Sequence, residues 1–257
     1  MRVFNLQWFV AAVLVLAVSG CGGDKASNNV VPVKIDSGNA ENVSRSALDA
    51  TEVGSISNNV ADYIKTNDPD NTAVNQTLNC SDVITGAMGT FTVTGTTLAT
   101  GDTNYNLNIK FTDCTVAKLT LNGSVSATST TVTTTKTKSV SGSLSVTNSQ
   151  SGITLSLNNF WLDKISDTVT NPDNYTKEFG MTLGIPLMGD VSVGGSFNGA
   201  GTNNPDNPTS GSMTVSASGV ARVTAVDNMS FALDVDPEGD GTFVPVDNGN
   251  GANTYAW

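Results

Sequence analysis

From about residue 77 onward, apolar side chains alternate with hydroxyl- or amide-bearing ones almost residue by residue. The pattern recurs in about ten short runs, of which 107–111 and 117–127 are the clearest. A period of two places successive side chains on opposite faces of a β-strand. Gly, Asn, Asp, Pro or Ser clusters bound each run, and these residues favour turns. The sequence therefore predicts an all-β domain over residues 75–257.

The predicted strands follow one another without an intervening helical pattern, which is typical of an antiparallel meander. Because each strand has one apolar face, the sheet must hide that face from water. It can do so as a barrel, as a sandwich, or by wrapping around an N-terminal helix. Small residues at interior positions indicate tight curvature or close packing; these are Gly123, Ala127, Gly142 and Ala217. We expect a curled, barrel-like sheet rather than a sandwich.

Residues 45–66 carry the other periodic pattern. Apolar side chains recur there at intervals of three and four, as at Val53, Ile56, Val60 and Ile64. This spacing predicts a short amphipathic helix. Gly54 interrupts the pattern, which leaves open two short helices or one weak helix. We expect the segment to cover one end of the sheet rather than to bind a partner.

The first twenty residues have the character of a secretory signal peptide. Met1 and Arg2 provide positive charge, an apolar run spans 8–18, and the small residues Ser19 and Gly20 follow. The run is shorter than the roughly 20 residues that a comfortable membrane span needs. The sequence therefore predicts export, with residues 1–20 removed.

The end of this leader, Val18-Ser19-Gly20-Cys21, resembles the bacterial lipoprotein signal. The resemblance implies that Cys21 is acylated, becomes the first mature residue and anchors the protein to a bilayer. Residues 21–44 would then form a flexible tether. Gly22, in place of the Asp associated with inner-membrane retention, implies the outer membrane. The alternative is a plain signal peptide that ends by chance in a cysteine.

Cys80 and Cys114 are the two cysteines besides Cys21. An even remainder in an oxidising compartment predicts one disulfide, and a pair of free thiols is the alternative. The surrounding segment, about 75–160, resembles uncharacterised β-rich lipoproteins of Gram-negative bacteria. Those proteins pair such cysteines around a Gly-rich strand and follow them with a strand similar to Thr120-Leu121-Asn122-Gly123. The resemblance concerns structure and implies no activity.

Composition excludes several functions. The chain contains no histidine, which rules out Ser-His-Asp catalysis, His-ligated zinc and c-type haem attachment. Its 12 Lys and Arg residues against 23 Asp and Glu residues give a net charge of −11, which argues against nucleic acid as a partner. We therefore predict a protein that is not an enzyme.

One acidic segment has spacing suited to a cation. Carboxylates stand at alternate positions around a glycine, namely Asp234, Asp236, Glu238 and Asp240. This arrangement resembles the first half of an EF-hand loop, in which side chains at such positions supply oxygen ligands to Ca²⁺. The pattern departs from an EF-hand at Pro245, where the bidentate Glu would stand, and no helices flank it. We therefore predict a β-hairpin with an acidic tip, and a bound Ca²⁺ is the alternative.

Together these features predict a lipoprotein anchored to the outer membrane, whose β domain is a non-catalytic structural or binding module for an envelope partner. One alternative is a carrier that holds an apolar ligand or lipid inside the curled sheet. Another is a transmembrane β-barrel, although three Trp and four Tyr are few for aromatic girdles. The binding module and the carrier differ in how the interior of the sheet is filled. In a module without a pocket, the helix and large side chains would occupy this interior, among them Met181, Phe197, Met213 and Phe231.

Overall fold

A computed structural model describes residues 34–169, 174–200 and 207–257. The predicted signal peptide, Cys21 and the first part of the predicted tether lie outside the described residues. The helix is α1 (Ala40–Asn67). The strands, in chain order, are β1 (Val74–Asn79), β2 (Met88–Thr96), β3 (Thr103–Val116), β4 (Leu119–Val132), β5 (Thr135–Asn148), β6 (Ile153–Asp167), β7 (Asn174–Ile185), β8 (Gly189–Ala200), β9 (Ser210–Ala217), β10 (Gly219–Asp227), β11 (Ser230–Asp236), β12 (Val244–Pro245) and β13 (Thr254–Ala256).

All thirteen strands belong to one antiparallel sheet. Each strand from β1 to β12 pairs with the next one in the chain, and β13 also pairs with β11. This order confirms the predicted all-β meander. The strands beyond the predicted ten are the short ones, β1, β12 and β13. Within the described residues β1 does not pair with β11, β12 or β13, so the sheet is neither a closed barrel nor a two-sheet sandwich.

Helix α1 is longer than predicted and continuous. It begins at Ala40 rather than at 45 and passes through Gly54 without a break. A Cβ atom at Gly54 would stand 2.7 Å from Cδ1 of Leu162 on β6. Of the two alternatives, the structure therefore has the single helix, and the missing side chain at Gly54 permits close approach of helix and sheet.

The described structure also begins before the predicted tether boundary at 44. The Ile35 side chain is fully buried, and its backbone N–H donates to the carbonyl of Ser218, at 3.2 Å. Within 21–44 the structure thus places Lys34 and the residues after it against the sheet. The sequence pattern does not predict this contact, because a single buried residue has no period.

Helix α1 lies along the concave face of the sheet instead of covering one end. It contacts β3 to β7 and β9 to β11. Its buried face repeats every three to four residues: Ala40, Val43, Ala47, Ala50, Val53, Ile56, Val60 and Ile64. The side chains expected to fill the interior are all buried, namely Met181, Phe197, Met213 and Phe231. Burial of each large apolar side chain contributes about 1.5–3 kcal/mol, so this interface is the main source of stability.

The convex face of the sheet is covered by hydroxyl groups. Threonine pairs on neighbouring strands bond across it, with Oγ1 atoms 2.8 to 3.0 Å apart: Thr77 with Thr92, Thr115 with Thr120, and Thr147 with Thr154. Such cross-strand pairs stabilise a sheet by roughly 0.2–1 kcal/mol each. The predicted division into an apolar and a hydroxyl-rich face is therefore confirmed.

The Cys80–Cys114 disulfide is present, as predicted from the cysteine count. Cys80 begins a short 3-10 turn after β1, and Cys114 lies near the end of β3, with 5.9 Å between their Cα atoms. Both side chains are buried. The bond therefore ties the edge strand β1 to β3 across the intervening β2.

We expect Gly54→Val to destabilise the protein by about 2 kcal/mol, because the added side chain overpacks the contact with Leu162. Urea unfolding followed by circular dichroism measures the effect. Asn59→Val is the matched control, since Asn59 is exposed on the same helix and valine and asparagine have similar helix propensities. Equal stability of the two variants would contradict close packing at Gly54.

Replacement of both Cys80 and Cys114 by alanine should lower the free energy of unfolding by roughly 3–4 kcal/mol, the loop-closure value for 34 residues of separation. Reductant should produce a similar loss in the wild type and none in the double variant. A wild-type unfolding midpoint that does not respond to reductant under unfolding conditions would show that the bond is absent.

Candidate functional site

Three lysines lie side by side on the concave face of the sheet. Lys138 on β5 stands opposite Lys164 on β6, and Lys164 stands opposite Lys177 on β7. Contacts with α1 show that Lys138 and Lys177 point towards the helix. The Lys138 ammonium donates to the Asp62 carboxylate, and the Lys177 ammonium donates to the Ser55 hydroxyl at 3.2 Å. We call these three residues the lysine row.

The lysine row marks the boundary of the apolar core. Two residues further along the same strands stand Val140, Leu162 and Phe179, which are also in register and are buried. The change from apolar to cationic side chains thus occurs at the same level in three adjacent strands. Like charges directly opposite one another destabilise a sheet. The packing of the sheet alone therefore does not explain why lysines occupy these three positions.

A cleft of about 390 Å³ adjoins the row, between the last turns of α1 and the ends of β3 and β5. We call it the lysine cleft. Its walls are formed by Asp62, Lys65, Thr66, Asn104, Tyr105, Lys136 and Lys138. Asp62 is the one carboxylate among these residues, against three lysines. The cleft is therefore positively charged although the chain as a whole is strongly acidic.

Lys136 is the least satisfied charge in the cleft. Within the described part of the chain, no acceptor takes a hydrogen bond or ion pair from its ammonium, and the side chain is partly buried. Burial lowers the pKa of Lys136, and the positive charge of Lys138 lowers it further, while the Asp62 carboxylate acts in the opposite direction. The charge of Lys136 therefore lowers the stability of the folded protein.

Tyr105 contributes a buried hydroxyl to the same cleft. The residue is 1% exposed. Asp62 and Ser129 lie close enough to influence its pKa, but among the described residues neither meets the geometry of a hydrogen bond to the hydroxyl. Burial raises the pKa of Tyr105, and the Asp62 carboxylate raises it further. The hydroxyl thus stays protonated and is available as a donor.

Tyr175 connects the lysine row to a second cleft. Its ring lies 4.5 Å from the Lys164 ammonium and 5.1 Å from that of Lys177, so it makes cation–π contacts with both. The second cleft has a volume of about 550 Å³. Most of the residues that line it carry a hydroxyl, amide or carboxylate group, among them Thr135, Asp167, Asn174, Asn198 and Thr209. Tyr175 thus stands between the lysine row and this second cleft.

The structure describes all four candidate calcium ligands but does not bring their carboxylates together at one site. Asp236 accepts hydrogen bonds from the backbone N–H groups of Gly239, Asp240 and Gly241, at 2.7 to 3.2 Å. Its role is to close the loop that follows β11. Burial would raise the pKa of Asp236, but these backbone donors outweigh burial and hold it below the usual value.

The other three carboxylates have separate partners. Asp234 pairs with Arg222 at 3.0 Å, and Glu238 pairs with Lys34 at 2.7 Å. The Asp240 carboxylate accepts the backbone N–H of Thr242 at 2.8 Å. Among the described residues no group of three or more acidic or cysteine side chains is arranged to hold a metal ion. The geometry therefore supports the acidic hairpin tip rather than an EF-hand-like loop.

Sequence reasoning missed the lysine cleft. The one local signal was Lys136-Thr137-Lys138, where two lysines two residues apart share a face of the strand. Lys164 and Lys177 are far away in sequence and join them only through strand register. Of the predicted site residues, Cys21 lies outside the described residues, and Cys80 and Cys114 are structural.

The fold and the cleft define a class of protein: a long antiparallel meander curled around one helix, with a cationic polar cleft at one end. Comparison of the chain with protein-family models, with curated proteins and with solved structures finds no match. Within the described residues, no helix combines the length and apolar character that crossing a membrane requires.

Asp236→Asn should lower the melting temperature at neutral pH, because the loop loses a charged acceptor for three N–H groups. The pKa of Asp236 is depressed in the folded state, so its stabilisation is present above the ordinary value of about 3.9 and is lost as pH falls through the folded-state value. The difference between variant and wild type should therefore shrink in acid. Calorimetry between pH 7 and pH 2 measures it.

Asp240→Asn is the control for this experiment, because Asp240 is exposed and accepts one local N–H. It should change the melting temperature less. A Ca²⁺-dependent rise in melting temperature that Asp236→Asn abolishes would contradict the assignment of Asp236 to loop closure and support a metal site.

Proposed function

We propose that this protein is a lipoprotein anchored to the outer membrane through Cys21, whose β domain is a non-catalytic binding module of the cell envelope. The observation that carries the proposal is the Cys80–Cys114 disulfide, buried within the fold. Such bonds persist in oxidising compartments. Export is also what the predicted leader implies, so two separate parts of the chain support the same location.

The character of the convex face supports a domain that stands in water. It is lined by threonine pairs and other hydroxyl- and amide-bearing side chains. A strand surface against lipid needs apolar side chains. This face therefore favours an anchored module over the transmembrane β-barrel that the same alternation also permitted.

The filling of the concave face favours a binding module over an apolar carrier. Helix α1 occupies this face along eight strands, and large side chains from the sheet pack around it. The lysine cleft is lined mainly by polar and charged residues. A lipid chain would gain little by entering it, because the free energy of transfer depends on apolar contact area.

Mass spectrometry of the mature N-terminal peptide tests the anchor. We expect the peptide to begin at Cys21 and to carry a thioether-linked diacylglycerol and an amide-linked acyl chain. A clickable fatty acid should label the wild type and the Cys80→Ala/Cys114→Ala variant, but not Cys21→Ser. The double variant is the matched control, because it removes the other two cysteines and leaves the anchor intact.

A second measurement tests whether the acyl chains are the sole attachment. A protease site placed in the tether between Lys25 and Val31 should allow the β domain to be released from membranes into the supernatant. An unmodified Cys21, or a β domain that stays with the membrane after cleavage, would contradict the proposed function.

A further inference from the structure

We propose that the lysine cleft binds a phosphate-bearing anion, and that this is the ligand chemistry of the binding module proposed above. The inference rests on the proposed function only for the place where the protein meets its ligand, the cell envelope. The binding site itself rests on the side chains of α1, β3 and β5.

Positive charge is concentrated at this place. Between residues 34 and 257 the chain has ten lysines and arginines, and five of them stand in the lysine cleft or the lysine row: Lys65, Lys136, Lys138, Lys164 and Lys177. A net charge of −11 disfavours the approach of any anion to the protein as a whole. A local cationic cleft with low-dielectric walls reverses this effect over a short range.

The charges in the cleft are not balanced internally. Asp62 neutralises Lys138, with which it forms an ion pair. Lys65 donates to backbone carbonyls, and its ammonium stands 4.0 Å from the exposed Asp70 carboxylate. Lys136 has no polar partner among the described residues. An anion in the cleft would supply the countercharge that Lys136 lacks.

The buried hydroxyl of Tyr105 is a second, independent indication of a ligand. Buried polar groups almost always have a hydrogen-bond partner, and an exception calls for an explanation. Tyr105 lines the cleft, and its hydroxyl has no such partner in the described structure. A bound oxyanion would accept a hydrogen bond from it and an ion pair from Lys136.

The donor set fits phosphate better than other anions. Lysine ammonium groups act as point charges and are common phosphate ligands, whereas planar carboxylates are better matched by the arginine fork. None of the described residues that line the cleft is an arginine. A volume of about 390 Å³ suits a phosphorylated sugar or a glycerophosphate head, not a polymer. The ligand is therefore a phosphate ester, either free or as a lipid headgroup.

Thermal unfolding of the full-length mature protein in non-ionic detergent tests the proposal. The free probes are inorganic phosphate and glycerol 3-phosphate. The lipid probe is phosphatidylglycerol in mixed micelles, with phosphatidylcholine as its zwitterionic comparison. At a hundredfold excess over Kd, we expect a bound probe to raise Tm by roughly 5–10 °C. The rise should weaken with added sodium chloride.

Lys136→Gln is the decisive variant. Without ligand it should unfold at the wild-type temperature or above, because it removes a partly buried, repelled charge that has no partner. With ligand it should lose most of the rise in Tm. Lys110→Gln, an exposed lysine on β3, is the matched control and should keep the wild-type response.

Stabilisation by the free probes would identify a soluble phosphate ester, and stabilisation by phosphatidylglycerol alone would identify a headgroup; either supports the proposal. An unchanged wild-type Tm with every probe, or an equal response of Lys136→Gln and Lys110→Gln, would overturn it. Acylation of Cys21 is a separate readout, so failure of the anchor and failure of the cleft are distinguishable.

Discussion

The packing of α1 against the concave face of the sheet is the contact on which the rest of the structure depends. A meander whose strands each have one apolar face cannot remain flat in water, because that face would stay exposed. One helix with small residues on its buried side lets eight strands approach its axis. Gly54 and the four buried alanines of α1 keep the helix narrow enough for the sheet to curl around it.

Because the helix fills the concave face, the sheet has no need to close and retains two edges. Exposed edges invite pairing with other chains, and proteins limit this risk with short strands, proline or charge. Here β12 has two residues and includes Pro245, which has no N–H to donate, and β13 has three residues. At the other edge the disulfide holds β1 and the turn after it onto β3.

The sequence predicted features that have a period, and it failed where structure arises from contact at a distance. Alternation identified the strands, and a spacing of three to four residues identified the helix. At Gly54 the sequence left one helix or two open, because a glycine that breaks a helix and one that permits close packing look alike in sequence. The lysine row could not be foreseen, because Lys164 and Lys177 meet only through the pairing of β6 with β7. Carboxylate spacing suggested Ca²⁺ as an alternative, but spacing does not reveal the partners that the fold supplies: Asp234 pairs with Arg222, and Glu238 pairs with Lys34.

The lysine cleft is also the place where local structure and global stability conflict. Elsewhere on the concave face, strand register places apolar side chains opposite one another, and each pair supports the core. At the lysine row the same register places ammonium groups opposite one another. Asp62 forms an ion pair with Lys138, and the Tyr175 ring makes cation–π contacts with Lys164 and Lys177. A protein that used these positions for stability alone would extend the apolar core by one more row. Departures from local consistency of this kind are expected at functional sites, and a bound anion accounts for the charge of Lys136 in the lysine cleft and for the Tyr105 hydroxyl beside it.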